Sequence, residues 1–246
     1  MSGAAPEPIT HVTVVVPARD EERLITRCLT SIAVAREHLR ITHPTPVDVR
    51  VIVVLDRCSD GTEYAAQSAG VDVVSVDAGS VGAARRIGMT RALSNPTAHQ
   101  TLSDQHAPVR PPARRHWLLS TDADSAVPVE WLRTHVELAA GGAQVVAGLV
   151  RPDDCTAPRV LSRWHAAHPI HLGHDQIYGA NLGIRADTYL LVGGFPAVDT
   201  GEDRYLVNAA RAIGARIVAT DRGTVTTSGR LDGRAPAGFA AWLRQS

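Results

Sequence analysis

The chain has 246 residues, 44% of them hydrophobic, and its 25 basic residues balance 25 acidic ones. That length fills one large domain or two small ones, and the balanced charge excludes a general electrostatic pull toward nucleic acid. Cys28, Cys58 and Cys155 lie far apart with no C-x-x-C pair, which argues against a disulfide framework or structural zinc and for a reducing compartment. The opening "MSGAAPEPITH" lacks the basic and apolar regions of a signal peptide. No apolar run approaches the roughly 18 residues of a membrane span, so a cytoplasmic protein is expected, with peripheral contact at a membrane and homodimer formation both left open.

In chain order, "HVTVVVPA" reads as a buried strand, and "DEERLITRCLTSI" as a helix with Leu24, Ile25, Cys28, Leu29 and Ile32 on one face and Asp20 as its N-cap. "VRVIVVLD" is a second strand, "GTEYAAQSA" a short helix and "VDVVSVD" a third strand. "SVGAARRIGMTRAL" is a helix capped by Ser80, "HWLLSTD" a fourth strand, and "PVEWLRTHVELAA" a helix with Pro128 at its first position. Residues 95–115 carry four prolines and no periodicity; they read as a mobile surface loop, its basic end Arg110 to His116 as a solvated stretch. The second half is less regular: a strand "AQVVAGLVR", a helix from Pro158 to Ala167, the run "YGANLGIRADTYLLVGGFP", a helix from Glu202 to Ile213, strands near "ARIVAT" and "GTVTTS", and an amphipathic end "GFAAWLRQ". Strand–helix alternation with near-continuous apolar strands predicts an α/β fold with a mostly parallel sheet covered on both faces.

Ligands in such sheets bind beyond the carboxyl ends of the strands. The first strand ends in "PARDEE", which is neither the dinucleotide fingerprint nor a phosphate loop. The second ends at Asp56 in "LDRCSDGT"; Asp56 and Asp60 read equally as turn formers and as ligand contacts. In "GAARRIG", Gly82 and Gly88 allow close backbone approach, and Arg85 reads as a surface arginine or as one facing a phosphate or base.

The fourth strand ends in "TDADS". In extended chain Asp122 and Asp124 face the same side. At about 4 Å and an effective dielectric of about 20 they repel by on the order of 4 kcal/mol. Turn or capping chemistry is one reading, which Pro128 disfavours by making Val127 the cap. The other is a divalent cation, Mn2+ or Mg2+, held by oxygen ligands. In "TGEDRYL", Glu202 and Asp203 open a helix; they serve the helix dipole, or one of them is a general base.

The ordered set "VVVPARDEE", "VVLDRCSDGT", "GAARRIG", "STDADS", "GANLGIRADTYLLVGGFP" and "GEDRYLVNAARAIGARI" resembles a family 2 glycosyltransferase of the GT-A fold, over roughly residues 11 to 228. The resemblance implies a single domain, with a Rossmann-like nucleotide-sugar-binding half at 11–125 and an acceptor-binding half at 126–246. It implies an inverting, metal-dependent, non-processive enzyme that moves a sugar from a UDP- or GDP-sugar to the hydroxyl of an unknown acceptor.

By the same resemblance Pro17, Ala18, Arg19 and Glu21 contact the nucleotide, Asp56 reads the base, and Gly82 and Arg85 pack beside the nucleoside. Asp122 and Asp124 match the D-x-D motif, whose metal bridges to the diphosphate. Gly179, Ala180 and Asn181 line the sugar and acceptor side, and Glu202 and Asp203 match the E-D pair, Asp203 being the better base. The chain departs from the pattern at Leu55, where an aspartate is usual, at Arg86, where an asparagine is common, and at Thr227, where a histidine often stands near the metal. The Q-x-x-R-W signature of processive synthases is absent. A nucleotidyltransferase on a related fold and a non-catalytic sugar-nucleotide-binding protein are the competing readings.

His165, His168, His171 and His174 recur every third residue, followed by Asp175. Such steps drift by about 60° each on a helix, and Pro169 and Gly173 interrupt it, so acceptor-pocket lining or a solvated loop is expected rather than zinc. Trp131 and Trp242 read as core or interface residues; Trp164 has the stronger claim to touch a sugar.

Overall fold

A computed structural model describes residues 7–94, 111–153, 156–168, 173–198, 200–230 and 239–244, without the side chains of 239–241. Cys155, His171 and residues 95–110 of the expected loop lie outside the described residues. The elements are β1 (His11–Ala18), α1 (Ile25–Thr42), β2 (Asp48–Asp56), α2 (Thr62–Ser68), β3 (Asp72–Val76), α3 (Val81–Ser94), β4 (His116–Ser120) and β5 (Ser125–Ala126). They continue with α4 (Trp131–Ala140), β6 (Val145–Pro152), α5 (Pro158–Ala167), β7 (Leu182–Arg185), α6 (Ala186–Leu191), α7 (Glu202–Ala212), β8 (Ile217–Thr227) and α8 (Phe239–Arg244). No helix among the described residues is long and apolar enough to cross a membrane.

One eight-stranded sheet has the order β3-β2-β1-β4-β7-β6-β8-β5. The pairs β1–β2, β1–β4, β2–β3 and β6–β8 are parallel. Strand β7 runs antiparallel to both β4 and β6. Two reversals restore direction, so β6 and β8 point the same way as β1 to β4. The carboxyl ends of β1, β2, β4, β6 and β8 therefore share one edge of the sheet, and β7 begins at that edge.

Period-two alternation sorts each strand between two cores. Val12, Val14 and Val16 of β1 and Val51, Val53 and Leu55 of β2 face one side, packed with Ile25, Cys28, Leu29 and Ile32 of α1 and Trp131 and Leu132 of α4. Val15, Ile52, Val54 and Leu118 face the other, with Ala84 and Met89 of α3, Tyr189 of α6 and Leu206 and Val207 of α7. Each fully buried aliphatic side chain contributes about 1.5–3 kcal/mol.

Some expectations are corrected. Asp20 does not cap α1: it adopts a left-handed φ of 49°, and its Oδ1 accepts from the Ser59 N–H at 2.7 Å. Glu21 N–H likewise donates to Thr62 Oγ1 at 2.7 Å, and Gly61 N–H to Glu22 Oε2 at 2.9 Å. The loops after β1 and β2 are thus tied together, which delays α1 to Ile25. Asp60 is a turn former, accepting from its neighbour Thr62 N–H at 3.0 Å. Pro128 precedes α4 by a turn, in which Trp131 N–H reaches the Pro128 carbonyl at 3.0 Å. The two late strands are one, β8, with a bulge opposite Gly148 and Val150. Ser80 does cap α3, its hydroxyl accepting from Ala83 N–H at 3.3 Å.

His135 lies wholly inside this core, 3.3 Å through Nε2 from Asn181 Oδ1. Burial pushes its pKa down to about 4, below the usual value near 6.5. The unfolded chain therefore takes up a proton first on acidification. The stability from keeping His135 neutral is complete above pH ~6.5 and falls by on the order of 3 kcal/mol as the pH drops to ~4. Melting temperatures across this range are expected to fall more steeply in the native protein than in His135→Gln.

Candidate active site

A cavity of about 860 Å³ opens over the shared strand edge. Pro17, Ala18 and Arg19 at the end of β1 line it, as do Glu21 and Asp56. Asp56 is held by the turn after β3, accepting from Ala78 N–H at 2.8 Å and Gly79 N–H at 3.1 Å. Asp122 and Asp124 line the centre, and Gly179, Ala180, Glu202 and Asp203 the side next to β7 and α7.

Helix α1 fixes the turn that carries the two aspartates. Arg27 Nη2 donates to the Asp124 carbonyl at 2.9 Å, and Cys28 Sγ lies 3.4 Å from the Asp122 carbonyl oxygen. The backbone closes as a turn, Ser125 N–H to Asp122 O at 3.0 Å. This gives the pair its convergent geometry without either side chain capping a helix.

The charge that offsets the two carboxylates among the described residues is arginine. Arg85, 3% exposed, donates from Nε to Ser120 Oγ at 2.9 Å, from Nη2 to Asp122 Oδ1 and from Nη1 to Glu202 Oε1. Arg230 pairs with both Glu21 and Asp124, its Nη2 being 3.1 Å from Asp124 Oδ2. Asp124 also accepts from the Thr227 hydroxyl at 3.3 Å. Even so, burial first and the Asp122 charge second raise Asp124 to about 6. The donor set of two carboxylates with a hydroxyl beside them suits a hard divalent cation.

Gly201, at φ 77°, turns the chain into α7. Glu202 then points inward, 4% exposed, and burial pushes its carboxyl up while Arg85 pulls it back. Asp203 faces the cavity, its Oδ2 accepting from Gly179 N–H at 2.8 Å and its Oδ1 from Arg204 N–H at 2.7 Å. Both line the cavity; Glu202 is a buried ion-pair partner of Arg85, and Asp203 is held by the backbone N–H groups of Gly179 and Arg204.

Two expected site residues stand elsewhere. Asn181 is fully buried and does not line the cavity. Its Oδ1 accepts from Trp131 Nε1 at 2.8 Å, and its Nδ2 donates to the carbonyls of Leu149 at 2.8 Å and Gly223 at 3.0 Å. It joins α4, β6 and β8 rather than touching a sugar. Gly82 also lies off the cavity: a Cβ there would stand 2.6 Å from the Pro196 carbonyl oxygen and 3.0 Å from that of Val198. Its smallness admits the segment leading to α7.

Arg230 escaped the sequence reading altogether. The signal that could have found it was its place three residues past Thr227, the end of β8. Trp242, read as core or interface, lines the cavity with Trp164 and His168. Trp164 and His168 stack at 3.7 Å, and Trp242 stands edge-on to Trp164 at 5.0 Å. His174 instead donates to the Thr220 carbonyl at 3.2 Å, and His165 is exposed. The histidines therefore form no metal cluster among the described residues. The Asp20, Cys58 and Asp60 grouping found there belongs to the loop ties described above.

A mixed sheet flanked by helices, with carboxylates gathered over its strand ends, is the architecture of a GT-A fold. The sequence profile of Glycosyl transferase family 2 matches residues 13–192, and the chain belongs to that family. No curated protein sequence matches it. Among solved structures it is similar to residues 1–349 of S. aureus TarS in complex with UDP-GlcNAc, with a TM-score of 0.63 and 16% identity over 93% of this chain and 61% of that one. It is also similar to the mannosyltransferase PcManGT from Pyrobaculum calidifontis in complex with GDP-Man and Mn2+, with a TM-score of 0.58 and 21% identity over 97% of this chain and 62% of that one. The third is glucosyl-3-phosphoglycerate synthase from Mycobacterium tuberculosis with Mn2+, UDP-Glc and phosphoglyceric acid, with a TM-score of 0.55 and 19% identity over 96% and 77%. The chain thus spans less than two thirds of the TarS and PcManGT chains.

Proposed function

We propose that the protein is an inverting, metal-dependent glycosyltransferase that moves a sugar from a UDP- or GDP-sugar to an acceptor hydroxyl. The observation that carries this reading is the convergence of Asp122, Asp124 and Asp203 on one cavity in a member of family 2. Residues 11–125 bind the donor, with Pro17 to Arg19 and Asp56 at the nucleoside end. Residues 126–246 bind the acceptor, with the aromatic wall of Trp164, His168 and Trp242 on that side.

Asp122 and Asp124 hold Mn2+ or Mg2+. When bound, that cation supplies positive charge to the leaving diphosphate. Asp203, kept in place by the Gly179 N–H, takes the proton of the acceptor hydroxyl. Arg85 fixes Asp122 and the start of α7 relative to each other, so that base and diphosphate site keep one spacing. In-line attack at the anomeric carbon inverts it, and no covalent enzyme intermediate is formed.

The test is a melting series with a panel of UDP- and GDP-sugars in Mn2+. A donor at about 100 times its Kd adds about 2.7 kcal/mol, a rise in Tm of roughly 5–10 °C for a chain of this size. The true donor gives that rise. A flat response to every nucleotide sugar contradicts the reading.

A further inference from the structure

We infer that Arg230 is the resident counter-charge of Asp124, which a divalent cation must displace, so that cation and arginine compete for one carboxylate. The inference rests on the reading of Asp124 as a metal ligand.

The two arginines at the aspartates are built differently. Arg85 comes from inside α3, its side chain is 4% exposed, and Ser120, Asp122 and Glu202 hold it from three sides. It is part of the frame, and moving it would break all three contacts. Arg230 lies three residues past the end of β8, and its side chain is 33% exposed. Its firm anchor is Glu21, contacted through both Nη1, at 2.8 Å, and Nη2. The contact to Asp124 is an ion pair through Nη2, at 3.1 Å. Glu21 is therefore a place to which the guanidinium can retire when Asp124 takes another partner. A guanidinium and a divalent cation on the same buried carboxylate repel each other, so the two occupy Asp124 in turn. Thr227 and Ser125 also reach that carboxylate, and they bring hydroxyls and no charge. The donor-free protein should accordingly bind metal weakly, and the cation should settle when a diphosphate brings further negative charge.

The experiment measures Mn2+ affinity of the full chain without nucleotide, by the electron paramagnetic resonance of free Mn2+. Arg230→Gln is expected to tighten Mn2+ binding by about tenfold, near the lower bound measured for close charge pairs. Arg230→Lys keeps the charge and should stay near the native value. Because Arg230→Gln also removes the Arg230–Glu21 ion pair, the same step is repeated in a Glu21→Gln background, where it should again tighten binding. Unchanged or weaker binding in Arg230→Gln, with Asp124→Asn still abolishing it, overturns the competition and leaves the metal reading standing. Mn2+ binding that Asp124→Asn does not alter, or none in any variant, overturns both.

Discussion

Arg85→Met is expected to lower the unfolding free energy by about 3–5 kcal/mol, the usual result of removing one partner from a buried ion pair. Glu202 would keep its carboxylate inside the protein with its guanidinium partner gone. Asp122 would suffer less, because its side chain is 36% exposed and regains water. The Arg85 guanidinium also lies 6.0 Å from the centre of the Phe195 ring, a contact worth roughly 0.5–2 kcal/mol when desolvated. Urea midpoints measure the loss. The double variant Arg85→Met/Glu202→Met should regain most of it, since an apolar pair of similar volume often replaces a buried ion pair without net cost. It should not regain turnover, because Asp122 and α7 would no longer be tied. A double variant as unstable as the single one would show that the deficit is packing, not the stranded charge.

Asp203→Asn is expected to reduce kcat by about 10²–10⁴-fold, the span a positioned general base contributes. The asparagine carbonyl can still accept from the Gly179 N–H that Asp203 holds at 2.8 Å, so the fold and donor affinity should be kept. Only the proton acceptor is lost. Steady-state rates with donor and acceptor both saturating read this directly. Unchanged turnover would remove Asp203 from the role of base. Full donor binding with no turnover in the native protein, for any acceptor, would favour the non-catalytic binder.

Much of the frame was legible because parallel strands covered on both faces are continuous apolar runs; β1, β2 and β4 are of this kind. The strand-end rule then led to Asp56, Asp122 and Asp124, and the start of a helix to Asp203. It failed where long-range pairing outweighed local pattern. Asp20 looks like a cap until Ser59 claims its carboxylate. Asn181 sits among cavity-lining residues in sequence, yet its amide satisfies groups on three other elements. Strand β5 spans two residues, too short to show a period. Arg230 meets Glu21 across 209 positions, a distance over which spacing carries no information. The sign of the charge at the D-x-D turn was anticipated as a cation alone, whereas the chain also supplies arginines from either side.

The central claim, that Asp122 and Asp124 hold a metal that carries a sugar nucleotide's diphosphate, is tested most directly by calorimetric titration of UDP and GDP with Mn2+ and with chelator. At least one nucleotide should bind with metal-dependent affinity in the native protein, and Asp124→Asn should abolish that dependence. Equal affinity with and without Mn2+, for native protein and variant alike, would contradict the account.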